Sequence, residues 1–266
     1  MENIALPSSF FSLRKKEGSL LKCHKTKTIS YFCNIKRAVF ISNNMLREIK
    51  SLIIKELQLE WKQKYAINGL LLYVLCMVIV IALAFLKGGE SILDAQTWNV
   101  MFWLIMLFAS INAVAKSFMG ESEGQLLYMY GLANPAAIII AKTIYNALLL
   151  MVMGIFALIF SVLLNKMTIA NMALFVFSII SGCVAFATNL TMVSAIAAKT
   201  ENKSTLLAVL SFPLVVPVLL TLIRISQQAI AGFGAVDVMN RFILVWGISG
   251  MLMVISVVLF PFIWRD

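Results

Sequence analysis

An all-α membrane protein with six transmembrane helices, preceded by an amphipathic interfacial helix, is predicted by three features of this sequence. Hydrophobic residues make up 61% of the chain and charged residues only 13%, too little polar surface to coat a soluble globule of 266 residues. The apolar residues fall into six runs long enough to cross a hydrocarbon core about 30 Å thick. The runs are continuous and lack the two-residue alternation of barrel strands, which would also be about half as long.

The runs follow in order. Ile67 to Leu86 is closed by Lys87-Gly88-Gly89, and Thr97 to Ala115 by Lys116. Ala136 to Leu164 and Met167 to Ala198 exceed a minimal span, which predicts tilt or helix continuing beyond the hydrocarbon. Leu206 to Ile223 ends at Arg224, and Phe242 to Ile263 ends at Trp264-Arg265-Asp266. The outer connections are then Lys87 to Gln96, Asn165-Lys166, and Arg224 to Arg241.

Orientation comes from the basic residues. Of 22 Lys and Arg, 13 precede the first span, against five acids there. That bias predicts a cytoplasmic N-terminus, and six crossings bring the C-terminus back to the same side. The segment from Gly120 to Pro135 and the Lys199–Lys203 loop are then cytoplasmic. The net charge of +10 is thereby read as a topology signal, with no nucleic-acid partner.

Three regions are predicted. Residues 1–44 read as a poorly ordered basic extension ahead of a native start at Met45, since they contain neither a continuous apolar core nor a clear cleavage site. Residues 45–66 form an amphipathic helix, with Ile49, Ile53, Leu57, Trp61 and Tyr65 recurring every four positions and Lys50, Lys55, Lys62 and Lys64 off that stripe. It fits the cytoplasmic face of membrane lipids, as an anchor for the first span, as a partner surface, or as both. Residues 67–266 form the six-helix domain.

Catalytic and ion-coupled chemistry has few residues from which to be built. No Asp or Glu lies within the six runs, and the one charge there, Lys142, is expected to reach the headgroups from the inner end of the third span. The single histidine, His24, lies in the extension, which leaves the spans without imidazole for a metal or haem. Cys23, Cys33, Cys76 and Cys183 lack zinc-site spacing. The chain carries no GxxxxGK[ST] phosphate cradle, so ATP-driven work would require ATP bound on a partner subunit. No cofactor is expected on the chain itself, and it is read as non-enzymatic.

Polar residues inside spans, namely Tyr145 and Asn146 in the third and Thr188, Asn189 and Thr191 in the fourth, are read as helix-packing groups. Ser181, Gly182 and Ala185 supply a small-residue face beside them. Pro213 and Pro217 each remove a backbone donor from the fifth span, which predicts a bend serving as a static kink or as a hinge.

The segment GESEGQLLYMYGLANP stands out between the second and third spans. Glu121 and Glu123 suit the N-terminus of a short helix, Gly131 its end, and Pro135 the start of the third span. Gln125, Leu126, Leu127, Tyr128 and Tyr130 offer apolar and aromatic surface between them. This is either a surface for an ATPase partner or an interfacial loop dipping into the headgroups.

The succession EGQLLYMYGLANPAAIIIAKTIYNALL resembles the cytoplasmic loop and third span of the haem exporter B (CcmB) family. LAVLSFPLVVPVLL is similar to that family's proline-containing fifth span, and IIKELQLEWKQKYAINGLLLY to its N-terminal part. The likeness runs from Met45 to the C-terminus, with Gly124 where the family often carries an acid. It implies an ABC-2-like permease architecture in a bacterial inner membrane. It further implies a cytoplasmic ABC ATPase, a haem-handling membrane protein, a small single-span protein and a periplasmic haem chaperone as partners, with haem as a substrate of the complex. In this setting the loop residues would form the ATPase-coupling element. The alternatives are an ABC-type permease for another substrate, such as a lipid or drug, and an ATP-independent carrier or scaffold.

Overall fold

The computed structural model describes residues 45, 47–58, 64–87, 90–91, 93–119, 135–165, 168–197 and 203–263. Residues 47–58 form helix α1. It is followed by α2 (Lys64–Ala84), a two-residue ladder β1 (Leu86–Lys87) and β2 (Glu90–Ser91), then α3 (Ala95–Met119), α4 (Pro135–Asn165), α5 (Met172–Ala197), α6 (Lys203–Ile230) and α7 (Ala235–Ile263). Among the described residues, α2 to α7 are the six helices long and apolar enough to cross a membrane. The ladder is an addition to the expected all-α fold: antiparallel pairs Leu86↔Ser91 and Lys87↔Glu90 flank the Gly-Gly pair that ends the first apolar run.

Helix ends follow local chemistry more closely than hydropathy. Asp94 caps α3, its Oδ2 accepting from the Thr97 amide at 3.2 Å. The Thr97 side chain, and then its backbone amide, hold the Asp94 carboxyl below its ordinary value of 3.8. Pro135 opens α4, where a missing amide costs little. The fourth span starts at Met172 rather than Met167, because Asn171 Oδ1 accepts from the Leu174 amide at 3.2 Å and fixes the start there.

The connection expected from Arg224 to Arg241 is not a long loop. α6 continues to Ile230 and α7 begins at Ala235, so only a four-residue turn separates them. At Gly232, φ is +87°, with Gly232 N donating to Ala229 O (3.3 Å) and Phe233 N to Gln228 O (3.0 Å), the Schellman arrangement that ends a helix. Asp237 Oδ2 accepts from the Gly234 amide at 3.2 Å and starts α7. The α4–α5 connection is bonded to this turn: Asn171 N donates to Ala229 O (3.0 Å), and Asn171 Nδ2 to Phe233 O (3.2 Å). Those two connections therefore meet at one end of the bundle. Pro213 and Pro217 lie on the exposed side of α6, which is one helix across both.

α5 is the axis of the bundle, packing against α3, α4, α6 and α7. Within its span 72% is buried in protein, against 17% for α2. Apolar burial alone does not hold helices together in lipid, where close packing and interhelical hydrogen bonds decide association. Both occur where α3 crosses α5 and α6. Trp98, Phe102 and Phe175 form one aromatic cluster with centroids 5.6–5.9 Å apart, and Trp103 lies edge-on to Phe102 and Phe186. Gly182 makes room for Trp103, since a Cβ there would fall 2.6 Å from the indole ring. Trp103 Nε1 donates to Ser226 Oγ (2.7 Å), Ser226 Oγ donates to Asn99 Oδ1 (2.7 Å), and Asn99 Nδ2 donates to Ile223 O (2.8 Å). This relay joins residues more than 120 positions apart in sequence and satisfies indole, hydroxyl and amide together.

Candidate functional site

At the opposite end of the bundle from the Gly232 turn, α1, α4 and α5 bring polar groups together. α1 turns Leu52 into the protein, and Glu56, one turn later, follows it. Lys142, two turns into α4, is 1% exposed, and its Nζ lies 3.6 Å from Glu56 Oε1, which belongs to a side chain 13% exposed. Lys142 thus does not reach toward headgroups as its position near the span end suggested. A carboxylate brought by α1 offsets its burial, which an isolated ammonium in a low-dielectric site would not tolerate.

One turn further along α4 is Asn146, fully buried, with Nδ2 donating to Thr191 Oγ1 of α5 at 2.9 Å. The polar groups of α1, α4 and α5 therefore form a column running inward from Glu56 through Lys142 and Asn146 to Thr191. Asn146 Oδ1 has no hydrogen-bond partner among the described residues, and neither does the amide of Asn189 nor the hydroxyl of Ser194 on α5. Thr188, read as an interhelical group, instead bonds back to Ala185 O of its own helix at 2.9 Å. Tyr145 is buried beside the column.

The residues proposed from sequence are distributed as follows. Ile49 and Ile53 on α1 are half-buried and Leu57 is exposed, which leaves Leu57 with Ile54 on an outward apolar edge. Tyr65 lies on α2, while Trp61 falls outside the described residues. Glu121, Glu123, Gln125, Leu126, Leu127, Tyr128 and Tyr130 also lie outside them, between Met119 at the end of α3 and Pro135 at the start of α4. Glu56 is the candidate site residue that the sequence reading missed. Its signal was present: the only charge within the spans required a counter-ion, and the helix ahead of them offered acids at Glu48, Glu56 and Glu60.

A family model described as CcmB protein matches residues 47–265, most of the chain. The chain belongs to the CcmB family. The match begins at α1, so the helix that supplies Glu56 lies within the family's extent and the basic residues ahead of it do not. With its six membrane-spanning helices, this CcmB-family chain is a multi-pass membrane permease component of haem export and c-type cytochrome biogenesis, and a member of a multi-subunit transporter complex. CcmB proteins are transporter subunits of a generally non-catalytic kind. A search of curated proteins finds no match to this chain. The only histidine, His24, lies outside the CcmB match, so residues 47–265 offer haem no imidazole.

Proposed function

We propose that this chain couples ATP hydrolysis by a separate cytoplasmic ABC ATPase to haem delivery, through release of the haem-loaded periplasmic chaperone, in a bacterial inner membrane. Its partners are that ATPase, a haem-handling membrane protein, a small single-span protein and the chaperone. The six spans adopt an ABC-2-like permease arrangement with both termini cytoplasmic, which the 13 basic residues ahead of the first span support. α1 lies along the inner membrane surface, its exposed Ile54 and Leu57 toward lipid.

The observation that carries the reading is the Glu56–Lys142 contact. Segment 120–134 leads directly into α4 at Pro135, and Lys142 on the second turn of α4 is braced by α1. A push delivered to Glu121, Glu123, Gln125, Leu126, Leu127, Tyr128 and Tyr130 is transmitted along α4 and through the ion pair to α1. The chain has no phosphate cradle, so the fuel is burned elsewhere.

Reversing the charges of Glu121 and Glu123 together with Leu126→Asp is expected to abolish co-purification of the ATPase and cytochrome c assembly while the protein still inserts. Unchanged ATPase association and assembly would overturn the assignment. Co-purification of a haem-handling partner separates this reading from a permease for lipids or drugs. Assembly that persists with a hydrolysis-dead ATPase would instead identify an ATP-independent carrier or scaffold.

A further inference from the structure

A second polar site lies at the other end of the bundle. Arg224, Gln227, Gln228, Ala231, Phe233 and Arg241 line an open cavity of about 410 Å³ where α6 turns into α7. Neither guanidinium has an ion-pair partner among the described residues. Asp237, the acid one turn before Arg241, is engaged instead with the Gly234 amide. The Oε1 atom of Gln228 is buried without a hydrogen-bond partner among the described residues. The cavity therefore presents two guanidinium forks that no described carboxylate neutralises.

Its position restricts the ligand. The turn joins two membrane spans, Thr205–Ile230 and Val236–Leu259, and so lies at a membrane–water boundary. Arg224 is exposed near the end of its span and reaches that boundary by extending its side chain. Phe233, Val236 and Met239, at 50%, 87% and 54% exposure, place apolar surface beside the cations. The turn that frames the cavity is pre-organised by its bonds to Asn171 and by the Gly232 backbone. Guanidinium forks match phosphate oxygens, and flanking apolar side chains suit acyl chains.

We propose that this cavity binds the phosphodiester headgroup of an anionic phospholipid, with Arg224 and Arg241 on the phosphate. A quaternary ammonium headgroup is disfavoured by the two adjacent cations. Binding does not depend on which leaflet this end of the bundle occupies, nor on the coupling role of the loop.

The test is native mass spectrometry of the full chain in detergent, titrated with phosphatidylglycerol and with phosphatidylcholine of the same acyl chains. Phosphatidylglycerol is expected to bind on the order of tenfold more tightly, and the Arg224→Gln/Arg241→Gln variant to lose that preference, as befits the loss of charge-assisted hydrogen bonds. Should the double variant fail to fold, Arg224→Gln alone, at an exposed position, must reduce the preference by roughly threefold or more. Equal binding of the two lipids, or a preference unaffected by these variants, overturns the proposal. Millimolar inorganic phosphate is expected to leave the lipid in place, and its displacement would assign the cavity to a soluble anion and overturn the lipid assignment.

Discussion

Glu56→Gln is expected to destabilise the protein more than Lys142→Met, although both remove the same ion pair. At a separation of 3.6 Å and an effective dielectric constant of about 20, two unit charges attract by about 4–5 kcal/mol. Desolvation offsets much of this in the intact pair. The asymmetry comes from what each substitution leaves behind. Glu56→Gln takes away the carboxylate 3.6 Å from an ammonium on a side chain 1% exposed, at a cost of about 3–5 kcal/mol. Lys142→Met leaves a carboxylate on a side chain already 13% exposed, which can turn toward water at a cost of roughly 1–2 kcal/mol. The double variant lacks both charges of the pair and should lie within about 1–2 kcal/mol of the parent. Denaturant unfolding in detergent micelles, followed by tryptophan fluorescence across all four proteins of the cycle, measures the coupling, expected to be on the order of 3 kcal/mol. Additive single effects, with coupling below about 0.5 kcal/mol, or a greater loss in Lys142→Met, would refute the buried-pair account.

Three further outcomes follow from the bundle. Gly182→Ala drives a methyl into the Trp103 ring and should cost about 1–3 kcal/mol in the same unfolding assay, with a changed tryptophan emission as the indole shifts. Ser226→Ala leaves Trp103 Nε1 and Asn99 Oδ1 without their shared hydroxyl and should cost about 1–2 kcal/mol, at the upper end for interhelical hydrogen bonds in membrane proteins. The Asp94 carboxyl is held below its ordinary value of 3.8, so its contribution is present above that pH and is lost as pH falls through the lower folded value. The lead in melting temperature of the parent over Asp94→Ala should accordingly hold at neutral pH and shrink in that acid window.

Much of the bundle was legible in the sequence because the demand lipid makes is local: a run of apolar residues long enough to cross, with every backbone group satisfied within it. Gly182 was legible for a similar reason, as one of a cluster of small residues on one face. Helix ends were less so. Arg224, Gln227 and Gln228 lower the hydropathy of α6, but Ser226 lies among them and is held by α3, so the helix continues past the apolar run. The Met167 start failed because the cap at Asn171 outweighs hydropathy there. Glu56 could not be assigned from position alone, since three acids lie between Met45 and the first span and only the packing of α1 against α4 chooses among them. Asn99 and Trp103 did carry a signal, two hydrogen-bonding side chains four apart on one face of a span, each requiring a partner that only the neighbouring helix could supply.

The hydrogen bonds from Asn171 to Ala229 and Phe233 clasp two interhelical hairpins into a single rim. Under the proposed coupling, a bundle fastened at one rim would work like tongs: a small displacement at the handles, where Glu56 meets Lys142, would swing the helices about a fixed fulcrum rather than slide them past one another. Shortening or loosening that clasp should therefore blunt the leverage even though no residue at the handles has been touched.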